Sequence, residues 1–367
     1  MKIALFIADF TLGGAERVFS DLARGFSERG HDVELVIGNT DNAVYLDLIP
    51  DNVCVVNLKV KRMRRSLPAL IGYLHKNKPD IVLATRADSC PFVVLAKIFS
   101  KVKTAIVLRE ANTLSSDLSK YRGGKRLLLS LFIKTLYPLA DMIVGVSEGV
   151  KEDLKKFLKI KGGKLCTIYS PIVTEELFIN ASKPCDHPWL QNKDIPVILS
   201  VGRLAFQKRF DLLIKAFAIV RQQRNARLLI LGEGEERLQL ESLAADLKLR
   251  EDINLAGFEP NPFKYMSRAN LFVLSSDWEG LPGALVQALA CGCPVISTDC
   301  PSGPREILKN GRLGRLIPMG DVKAMAAAIE EALNQKPLRV KKEELCEYAA
   351  GKSIDNYLRV FEAVKKK

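Results

Sequence analysis

Short apolar segments alternate with longer segments of helical periodicity along nearly the whole chain. In the first half the apolar segments are 3–8, 32–37, 81–85, 104–108 and 142–146, and the helical ones are 15–28, 67–76, 92–99 and 125–137. Strands that are apolar throughout are typical of parallel sheets covered by helices on both faces. The alternation therefore predicts an α/β fold built on doubly wound sheets.

The same alternation restarts after segment 174–196, which contains three prolines and shows no periodicity. In the second half the predicted strands are 197–201, 227–231, 253–255, 271–274 and 294–298, and the predicted helices are 210–221, 236–246 and 263–268. We expect a first domain over 1–173, a linker over 174–196 and a second domain over 197–345. Ligands of such sheets bind at the carboxyl ends of the strands, here facing a central cleft.

The composition fits a globular chain of two domains, with 367 residues of which 48% are hydrophobic. The eight cysteines are scattered and only three histidines occur, so a histidine-rich metal site is not indicated. Free thiols favour a reducing, cytoplasmic environment. The N-terminal segment has the pattern of a first strand rather than of a signal peptide, and no apolar run approaches the roughly 20 residues of a membrane-spanning helix.

The net charge of +13 is unevenly distributed. Residues 59–78 hold seven lysines and arginines and no acid, and residues 119–139 combine basic residues with leucine, phenylalanine and tyrosine. Basic amphipathic segments of this kind suit peripheral contact with an anionic membrane, although a solubilising helix face explains them equally well. No nucleic-acid-binding motif accompanies the charge, so a nucleic-acid partner is not expected.

Residues 275–296, SSDWEGLPGALVQALACGCPVI, are the most informative stretch for function. They place Glu279, Gly280 and Pro282 in a loop that leads directly into an apolar helix. The free N-terminus of a helix offers unpaired backbone N–H groups and a positive dipole end, which favour phosphate. A carboxylate at the same place can bind hydroxyl groups, so the stretch indicates a nucleotide-sugar ligand.

Three further loops follow predicted strands. Gly13 and Gly14 precede the first helix, where a glycine pair is a phosphate site or only a turn, and they do not form the Gly-x-Gly-x-x-Gly pattern of a dinucleotide fold. Arg203 and Lys208 follow the first strand of the second domain, and their cations suit a diphosphate unless both pair with surface carboxylates. Residues 232–234, Gly-Glu-Gly, make room for a base or ribose or form a plain left-handed turn.

Taken together, these stretches resemble the retaining glycosyltransferases of the GT-B fold, family 4-like enzymes with a Glu-x7-Glu motif that include bacterial transferases of cell-surface polysaccharides. The matching stretches are GGAERV, GRLAFQKRFDLLIKAF, LLILGEGEER, INLAGF and SSDWEGLPGALVQALACGCPVISTDCPSGPREIL. The resemblance covers nearly the whole chain and is strongest over 197–320. It implies two Rossmann-like domains, an acceptor bound by the first, a nucleotide-sugar bound by the second, and a C-terminal helix in 346–367 that crosses back to the first domain.

The resemblance also implies roles for individual residues. Arg203 and Lys208 match the pair that binds the donor diphosphate, and Glu279 matches the first glutamate of the motif, which contacts the donor sugar. We take these three as the predicted catalytic residues. The other matching positions, predicted to bind substrate, are Gly13, Gly14, Gly232, Glu233, Phe258 at the nucleotide base, Gly280, and the backbone N–H groups of Gly283, Ala284 and Leu285.

Two positions depart from the family pattern. The second glutamate of the motif is replaced by Gln287, which still donates and accepts a hydrogen bond but lacks the charge that strengthens it. Many relatives carry a histidine near the end of strand 104–108, where this chain has Arg109, Glu110 and Asn112. These side chains are candidates for acceptor or sugar contacts, and the alternative is a structural Arg109–Glu110 ion pair.

The resemblance implies transfer of a hexose or N-acetylhexosamine from a nucleotide-diphosphate sugar, UDP-linked, to a lipid-linked or polysaccharide acceptor with retention of configuration. No Asp-x-Asp occurs, so we expect no metal and no other cofactor, with Arg203, Lys208 and a helix N-terminus stabilising the leaving group. Such an enzyme would act in the cytoplasm, at the cytoplasmic face of the inner membrane. The alternatives are a nucleotide-sugar epimerase of the same fold, or a nucleotide-sugar-binding subunit with weakened catalysis.

Overall fold

The computed structural model divides into two compact units. The first unit is Met1–Pro171 with Glu347–Lys367, and the second unit is Ile172–Cys346. The structure describes all residues except 12, 42, 44, 45, 61–64, 161, 162, 192, 193, 337, 339 and 367, so part of the predicted basic segment 59–78 lies outside the described residues.

In the described part of the first unit, seven parallel strands form one sheet in the order β3-β2-β1-β4-β5-β6-β7. The strands are β1 (Lys2–Asp9), β2 (Asp32–Asn39), β3 (Cys54–Asn57), β4 (Ile81–Thr85), β5 (Ala105–Glu110), β6 (Met142–Gly145) and β7 (Leu165–Thr167). The helices between them are α1 (Gly14–Glu28), α2 (Ser66–Asn77), α3 (Cys90–Ser100), α4 (Leu114–Ser119), α5 (Gly123–Leu136) and α6 (Glu148–Leu158).

In the described part of the second unit, six parallel strands form a sheet in the order β10-β9-β8-β11-β12-β13. The strands are β8 (Val197–Val201), β9 (Arg227–Leu231), β10 (Ile253–Gly257), β11 (Leu271–Leu274), β12 (Val295–Thr298) and β13 (Arg315–Ile317). Its helices are α7 (Glu175–Ser182), α8 (Pro188–Gln191), α9 (Phe210–Gln223), α10 (Arg237–Asp246), α11 (Phe263–Met266), α12 (Gly283–Ala290), α13 (Pro304–Ile307) and α14 (Val322–Asn334). Both units therefore have the doubly wound parallel α/β architecture that the sequence predicts.

The last helix, α15 (Ala350–Lys365), packs on α1 and completes the core of the first unit. Tyr357 and Phe361 are fully buried and pack against Phe26 of α1 in edge-to-face and tilted arrangements, with ring centroids 6.3 and 5.4 Å from that ring. Gly25 makes the close approach possible, because a Cβ atom there would lie 2.0 Å from a side-chain carbon of Ile354. The buried residues of α15 recur at helical spacing, as expected of a helix that packs one face on a core.

Segment 174–196, predicted as a linker, is helical over much of its length and lies within the second unit. Its helix α7 starts at a Thr174 cap whose side chain accepts a hydrogen bond from the Leu177 N–H. The end of α7 is held by the side chain of Asn261, which donates to the Asn180 carbonyl at 2.9 Å. The prolines that suggested irregular chain lie outside α7 or open α8, where proline is compatible with a helix start.

Candidate functional site

The sheet of the second unit reverses its winding between β8 and β11, which are neighbours in space although β9 and β10 separate them in sequence. In open α/β sheets, ligands bind outside the carboxyl ends of the strands at such a switch point. The segments that follow β8 and β11 are 202–209 and 275–282, and they carry the three residues predicted as catalytic.

Lys208 and Glu279 form an ion pair at this point. The Lys208 Nζ atom lies 2.7 Å from Oε1 of Glu279, and the Ser276 hydroxyl donates to the same oxygen at 2.6 Å. The Glu279 side chain is only 7% exposed, whereas that of Lys208 is 22% exposed. Oε2 of Glu279 has no hydrogen-bond partner among the described residues, so one carboxylate oxygen remains able to accept from a ligand hydroxyl.

A set of hydrogen bonds fixes the two segments to each other. The Ser275 hydroxyl donates to the Lys208 carbonyl and the Gln207 amide donates to the Trp278 carbonyl, both at 2.6 Å. The Arg209 guanidinium pairs with Asp277 at 3.0 Å. We call this set of contacts the brace. The sequence analysis did not predict the brace, although the polar residues 275–277 directly after β11 pointed to hydrogen bonding there. The brace holds Lys208 and Glu279 in one geometry, which is what a preorganised binding site requires.

Arg203 is exposed and makes no ion pair or hydrogen bond through its side chain with any described residue. The alternative in which both cations pair with surface carboxylates therefore does not hold for Arg203. In the described part of the chain, Lys208 pairs with one carboxylate, and that carboxylate is Glu279 of the site itself. The guanidinium of Arg203 is available to an anionic ligand at the carboxyl end of β8.

Gly232 and Gly234 serve close approach of two loops rather than a left-handed turn. Their φ angles are 146° and 159°, and Cβ atoms there would lie 1.9 Å from the Gly202 carbonyl oxygen and 2.3 Å from that of Leu204. The Leu204 N–H donates to the Glu233 carbonyl at 2.8 Å. The two glycines thereby hold the loop that carries Arg203.

Glu233 and Phe258 lie on the β9 and β10 side of the site. The Glu233 carboxylate is ion-paired with Arg237 at 3.0 Å and lies beside Gly257. Phe258 follows β10 directly, and its ring is 42% exposed. An exposed aromatic ring at the end of an edge strand is a suitable surface for a planar base.

Helix α12 begins at Gly283 without a side-chain cap. The N–H of Leu285 donates to the Pro282 carbonyl at 3.1 Å, so of the three predicted N–H groups those of Gly283 and Ala284 are the ones left at the helix start. A hydrogen bond from a neighbouring loop fixes the segment before α12, since the Ser302 hydroxyl donates to the Gly280 carbonyl at 2.8 Å. Gly303 has a φ of 88° and no room for a Cβ atom beside Pro282.

Gln287 lies in the second turn of α12, one helical turn after Gly283 and on the same side of the helix. It is partly buried, and its side chain makes no hydrogen bond with any described residue. Its amide is therefore available for a ligand, as the motif position suggests.

In the first unit, Gly13 and Gly14 open α1 at the carboxyl end of β1. The Glu16 side chain folds back over this helix start, and a Cβ atom on Gly13 would lie 2.3 Å from its carboxylate. Glu16 is buried. A carboxylate close to the glycine pair disfavours a phosphate at this loop. The local charge of the loop is therefore opposite to that of the cationic site in the second unit.

Arg109 and Glu110 are both buried at the end of β5 and do not pair with each other. Successive strand residues point to opposite faces of a sheet. Arg109 donates to the hydroxyls of Ser170 at 2.8 Å and Thr85 at 3.4 Å, whereas Glu110 accepts from the Tyr137 hydroxyl on the other face. The predicted alternative of a structural Arg109–Glu110 ion pair is thus wrong.

Burial raises the pKa of Glu110 from 4.5 to about 8, against the hydrogen bond from Tyr137, which lowers it. The side chain is therefore a neutral carboxylic acid near pH 7. Of the three residues predicted at the end of β5, only Asn112, which follows the strand, is partly exposed. Both Arg109 and Glu110 are buried, so neither side chain lies at the surface of the first unit.

Among the described residues, no group of three or more histidine, cysteine, aspartate or glutamate side chains is arranged to hold a metal ion. Within the same residues, every helix is too short or too polar to cross a membrane.

Comparison with known proteins identifies two family models that together span most of the chain. Residues 186–351 match the model of the glycosyl transferases group 1, and residues 12–176 match that of glycosyltransferase family 4. In Campylobacter jejuni, the N-acetylgalactosamine-N,N'-diacetylbacillosaminyl-diphospho-undecaprenol 4-alpha-N-acetylgalactosaminyltransferase is 31% identical over 360 residues, 92% of either chain. The lipopolysaccharide 1,6-galactosyltransferase of Escherichia coli is 24% identical over 88% of this chain and 86% of its own.

Among solved structures, HepE of Anabaena in complex with UDP and glucose superposes with a TM-score of 0.82. It is 17% identical and covers 99% of this chain and 100% of its own. The apo form of the lipopolysaccharide outer core galactosyltransferase WaaB matches with a TM-score of 0.72 at 21% identity, over 99% of both chains. These likenesses establish the fold.

Proposed function

The chain belongs to the group 1 and family 4 glycosyltransferases, and from that membership we propose that it moves a hexose or N-acetylhexosamine from a nucleoside-diphosphate sugar to a lipid-linked or polysaccharide acceptor. The C. jejuni relative is named for a diphospho-undecaprenol-linked acceptor, and the E. coli relative for lipopolysaccharide. Both names support an acceptor at a membrane surface.

The Lys208–Glu279 pair at the β8/β11 switch point carries the proposal. It places a cation and a carboxylate with a free oxygen side by side, near the uncapped start of α12. A nucleotide-sugar presents a diphosphate and a hydroxyl-bearing ring, which match these two groups. Lys208, Arg203 and the N–H groups of Gly283 and Ala284 would bind the diphosphate, and Glu279 the sugar hydroxyls.

The chemical step follows from these positions. As the bond from the anomeric carbon to the diphosphate breaks, negative charge grows on the departing oxygen, and fixed cations and N–H groups stabilise that charge. Glu279 is held by Lys208 and Ser276 and acts on the hydroxyls rather than as a nucleophile. We propose retention by attack on the face that the leaving group vacates, with the departing phosphate accepting the proton of the acceptor hydroxyl.

We propose UDP as the nucleotide and no metal ion. Phe258 offers an exposed ring for the base, with the 232–234 loop beside it, and HepE, of the same fold, was solved with UDP. Arg203 and Lys208 supply positive charge where a metal-dependent transferase uses a divalent cation. Transfer should therefore survive incubation with EDTA, and a loss of activity that Mg²⁺ or Mn²⁺ restores would refute this part of the proposal.

We also propose that the first unit docks on an anionic membrane, at its cytoplasmic face. Residues 1–171 and 347–367 contain 32 lysines and arginines against 20 acids, whereas residues 172–346 contain 23 against 22. Nearly all of the net charge therefore belongs to the first unit. Its helix α5 adds a row of exposed leucines, with Leu127 at 73%, Leu128 at 70% and Leu131 at 59% exposure. Apolar side chains beside cations are the pattern of an interfacial helix.

A panel of nucleotide-sugars tests the function. Purified protein is incubated with each donor and a lipid-diphosphate-linked glycan acceptor, and both released nucleotide and glycosylated product are measured. We expect release and product to appear together for a UDP-sugar. An epimerase would instead change the donor without releasing nucleotide, and a binding subunit would bind UDP without either change. Either of the last two results would overturn the proposed transfer.

A further inference from the structure

The sheet of the first unit has its own switch point, between β1 and β4. Asp9 is the last residue of β1, and Arg86 and Asp88 lie in the turn directly after β4. The carboxyl ends of neighbouring parallel strands meet at the same edge of a sheet, so the three side chains come together there. None of them was singled out by the sequence motifs.

Arg86 joins the two carboxylates. Its Nη1 atom lies 2.7 Å from Oδ1 of Asp9, and its Nη2 atom lies 3.4 Å from Oδ2 of Asp88. All three side chains remain between 36% and 42% exposed. The three side chains are thus held together at the carboxyl ends of β1 and β4 and still face solvent.

Each carboxylate keeps one oxygen without a partner. Oδ1 of Asp88 is buried and makes no hydrogen bond, and Oδ2 of Asp9 makes none with any described residue. A buried polar atom without a partner is costly, so a rotation of the partly exposed Asp88 carboxyl group that lets Oδ1 accept from a ligand is favoured. Two acceptor oxygens flanking a guanidinium that donates form a pattern suited to several hydroxyl groups on one ring.

The charge of this edge selects the kind of ligand. One guanidinium lies between the two carboxylates of Asp9 and Asp88, and the charge of Glu16 also acts on Arg86. The net charge is negative, which disfavours phosphate and favours hydroxyl, amide N–H or ammonium groups. Tyr121 also lies near Asp88, and burial followed by the charge of Asp88 raises the pKa of its hydroxyl, which therefore stays a neutral donor.

We propose that Asp9, Arg86 and Asp88 bind the terminal sugar of the acceptor through its hydroxyl groups, while the phosphates of donor and acceptor bind elsewhere. This inference rests on the proposed glycosyl transfer for the identity of the ligand as an acceptor. The three residues recognise the acceptor sugar and take no part in breaking the donor bond.

Direct binding measurements test the inference without relying on turnover. Wild-type protein with saturating UDP is titrated with methyl α-N-acetylgalactosaminide and methyl α-glucoside, and binding is followed by saturation-transfer NMR. Inorganic pyrophosphate, which has no C–H protons to observe, is titrated into protein without UDP and followed by isothermal titration calorimetry. The variants are Asp88→Asn and Asp9→Asn. The control is Asp80→Asn, which removes an ion-paired carboxylate just before β4, at the opposite edge of the same sheet.

We expect at least one glycoside to bind the wild type and the control, and to bind both site variants roughly 10- to 100-fold more weakly, as for the loss of charge-assisted hydrogen bonds. UDP and pyrophosphate should bind all four proteins alike.

The inference is overturned if neither glycoside binds the wild type, if Asp80→Asn weakens binding as much as Asp88→Asn, or if the site variants lose pyrophosphate binding instead. Thermal unfolding of each variant shows that it is folded, and Arg86→Lys, which keeps the charge but not the fork, should show the same weakening.

The outcome is separable from that of the proposed function. If no nucleotide or nucleotide-sugar binds, the transfer proposal fails while the glycoside titration still reports on the first unit. If UDP binds normally and the glycosides do not, the transfer proposal stands and this inference falls.

Discussion

Lys208 and Glu279 form an ion pair in which both partners keep hydrogen-bonding capacity. Lys208 still has ammonium protons to donate, and Glu279 still has Oε2 to accept. A partly buried pair of this kind contributes little net stability, because the cost of removing both charges from water offsets their attraction. Its value lies in presenting two opposite charges to the two halves of one ligand.

Replacing Lys208 by alanine should lower kcat/KM for the donor by about 100- to 1000-fold, since a donor to the developing charge is lost. Nucleotide release from the preferred UDP-sugar measures the effect. Lys151→Ala is the matched control, because Lys151 also pairs with a carboxylate, Glu148 at 2.9 Å, but lies on α6 of the first unit. A Lys208→Ala enzyme within tenfold of the wild type would contradict the assigned role.

Gln287→Glu should lower the donor KM by roughly tenfold, because a charged acceptor strengthens hydrogen bonds to ribose or sugar hydroxyls. The side chain has no competing partner among the described residues, so the new carboxylate is free to engage the ligand. Gln223→Glu, on an exposed position at the end of α9, controls for the added charge. If the donor KM rises in Gln287→Glu but not in Gln223→Glu, the prediction is contradicted, and the site binds the donor through the amide of glutamine.

At the scale of elements, periodicity predicts the buried central strands of both sheets and misses short or partly exposed ones. β1, β4, β5 and β11 each contain a buried apolar run of at least four residues, so their sequences alone identify them. β3, β7 and β13 lie at sheet edges, are only three or four residues long and are partly exposed, so their apolar runs are too short to identify them. The motif residues were predictable, but the brace through Arg209 and Asp277 depends on contacts between distant segments.

The loops after β8 and β9 pack so closely that a single added methyl group should lower the stability of the protein. Gly232→Ala places a Cβ atom 1.9 Å from the Gly202 carbonyl oxygen at a φ of 146°, and the backbone must move. We expect a loss of about 1–3 kcal/mol in unfolding free energy, measured by denaturant titration, together with weaker UDP binding. Gly72→Ala is the control, because nothing lies within 4 Å of its Cβ position in α2 and alanine should stabilise the helix slightly. Equal stabilities of the two variants would contradict the loop contact.

At Glu110 of strand β5, burial of the carboxyl group makes the unfolding free energy of the protein depend on pH. Burial raises the pKa of its carboxyl group from 4.5 to about 8, so the folded chain keeps a proton that the unfolded chain releases between these values. The contribution of Glu110 to stability therefore falls as pH rises from 4.5 to about 8 and is constant above that. Glu110→Gln should flatten this decline, with a higher melting temperature at pH 8.5 than the wild type. Glu152→Gln, on the exposed face of α6, should retain the wild-type slope, and parallel slopes for all three proteins would refute the assignment.

At the scale of the whole molecule, the two units divide the chemistry by charge. The second unit is nearly neutral and presents the exposed Arg203 at its switch point, whereas the first unit has a large excess of basic residues and is acidic at its own switch point. A basic surface attracts an anionic membrane, while a locally acidic edge favours the uncharged sugar of a lipid-linked acceptor over its phosphates. This distribution supports an acceptor delivered from the membrane to the first unit.

The membrane proposal can be tested on helix α5 by sedimentation with vesicles. Wild-type protein should bind vesicles containing phosphatidylglycerol, bind phosphatidylcholine vesicles weakly, and dissociate as salt rises from about 0.05 to 0.5 M, because the Debye length then shortens below about 5 Å. Replacing Leu127 and Leu131 together by serine removes the apolar contribution and should weaken binding by at least about tenfold at low salt. Leu238→Ser is the matched control, since Leu238 is 79% exposed but belongs to α10 of the nearly neutral second unit. Binding that is insensitive to salt, or lost equally in the control, would show that α5 and the charge around it do not form the docking surface.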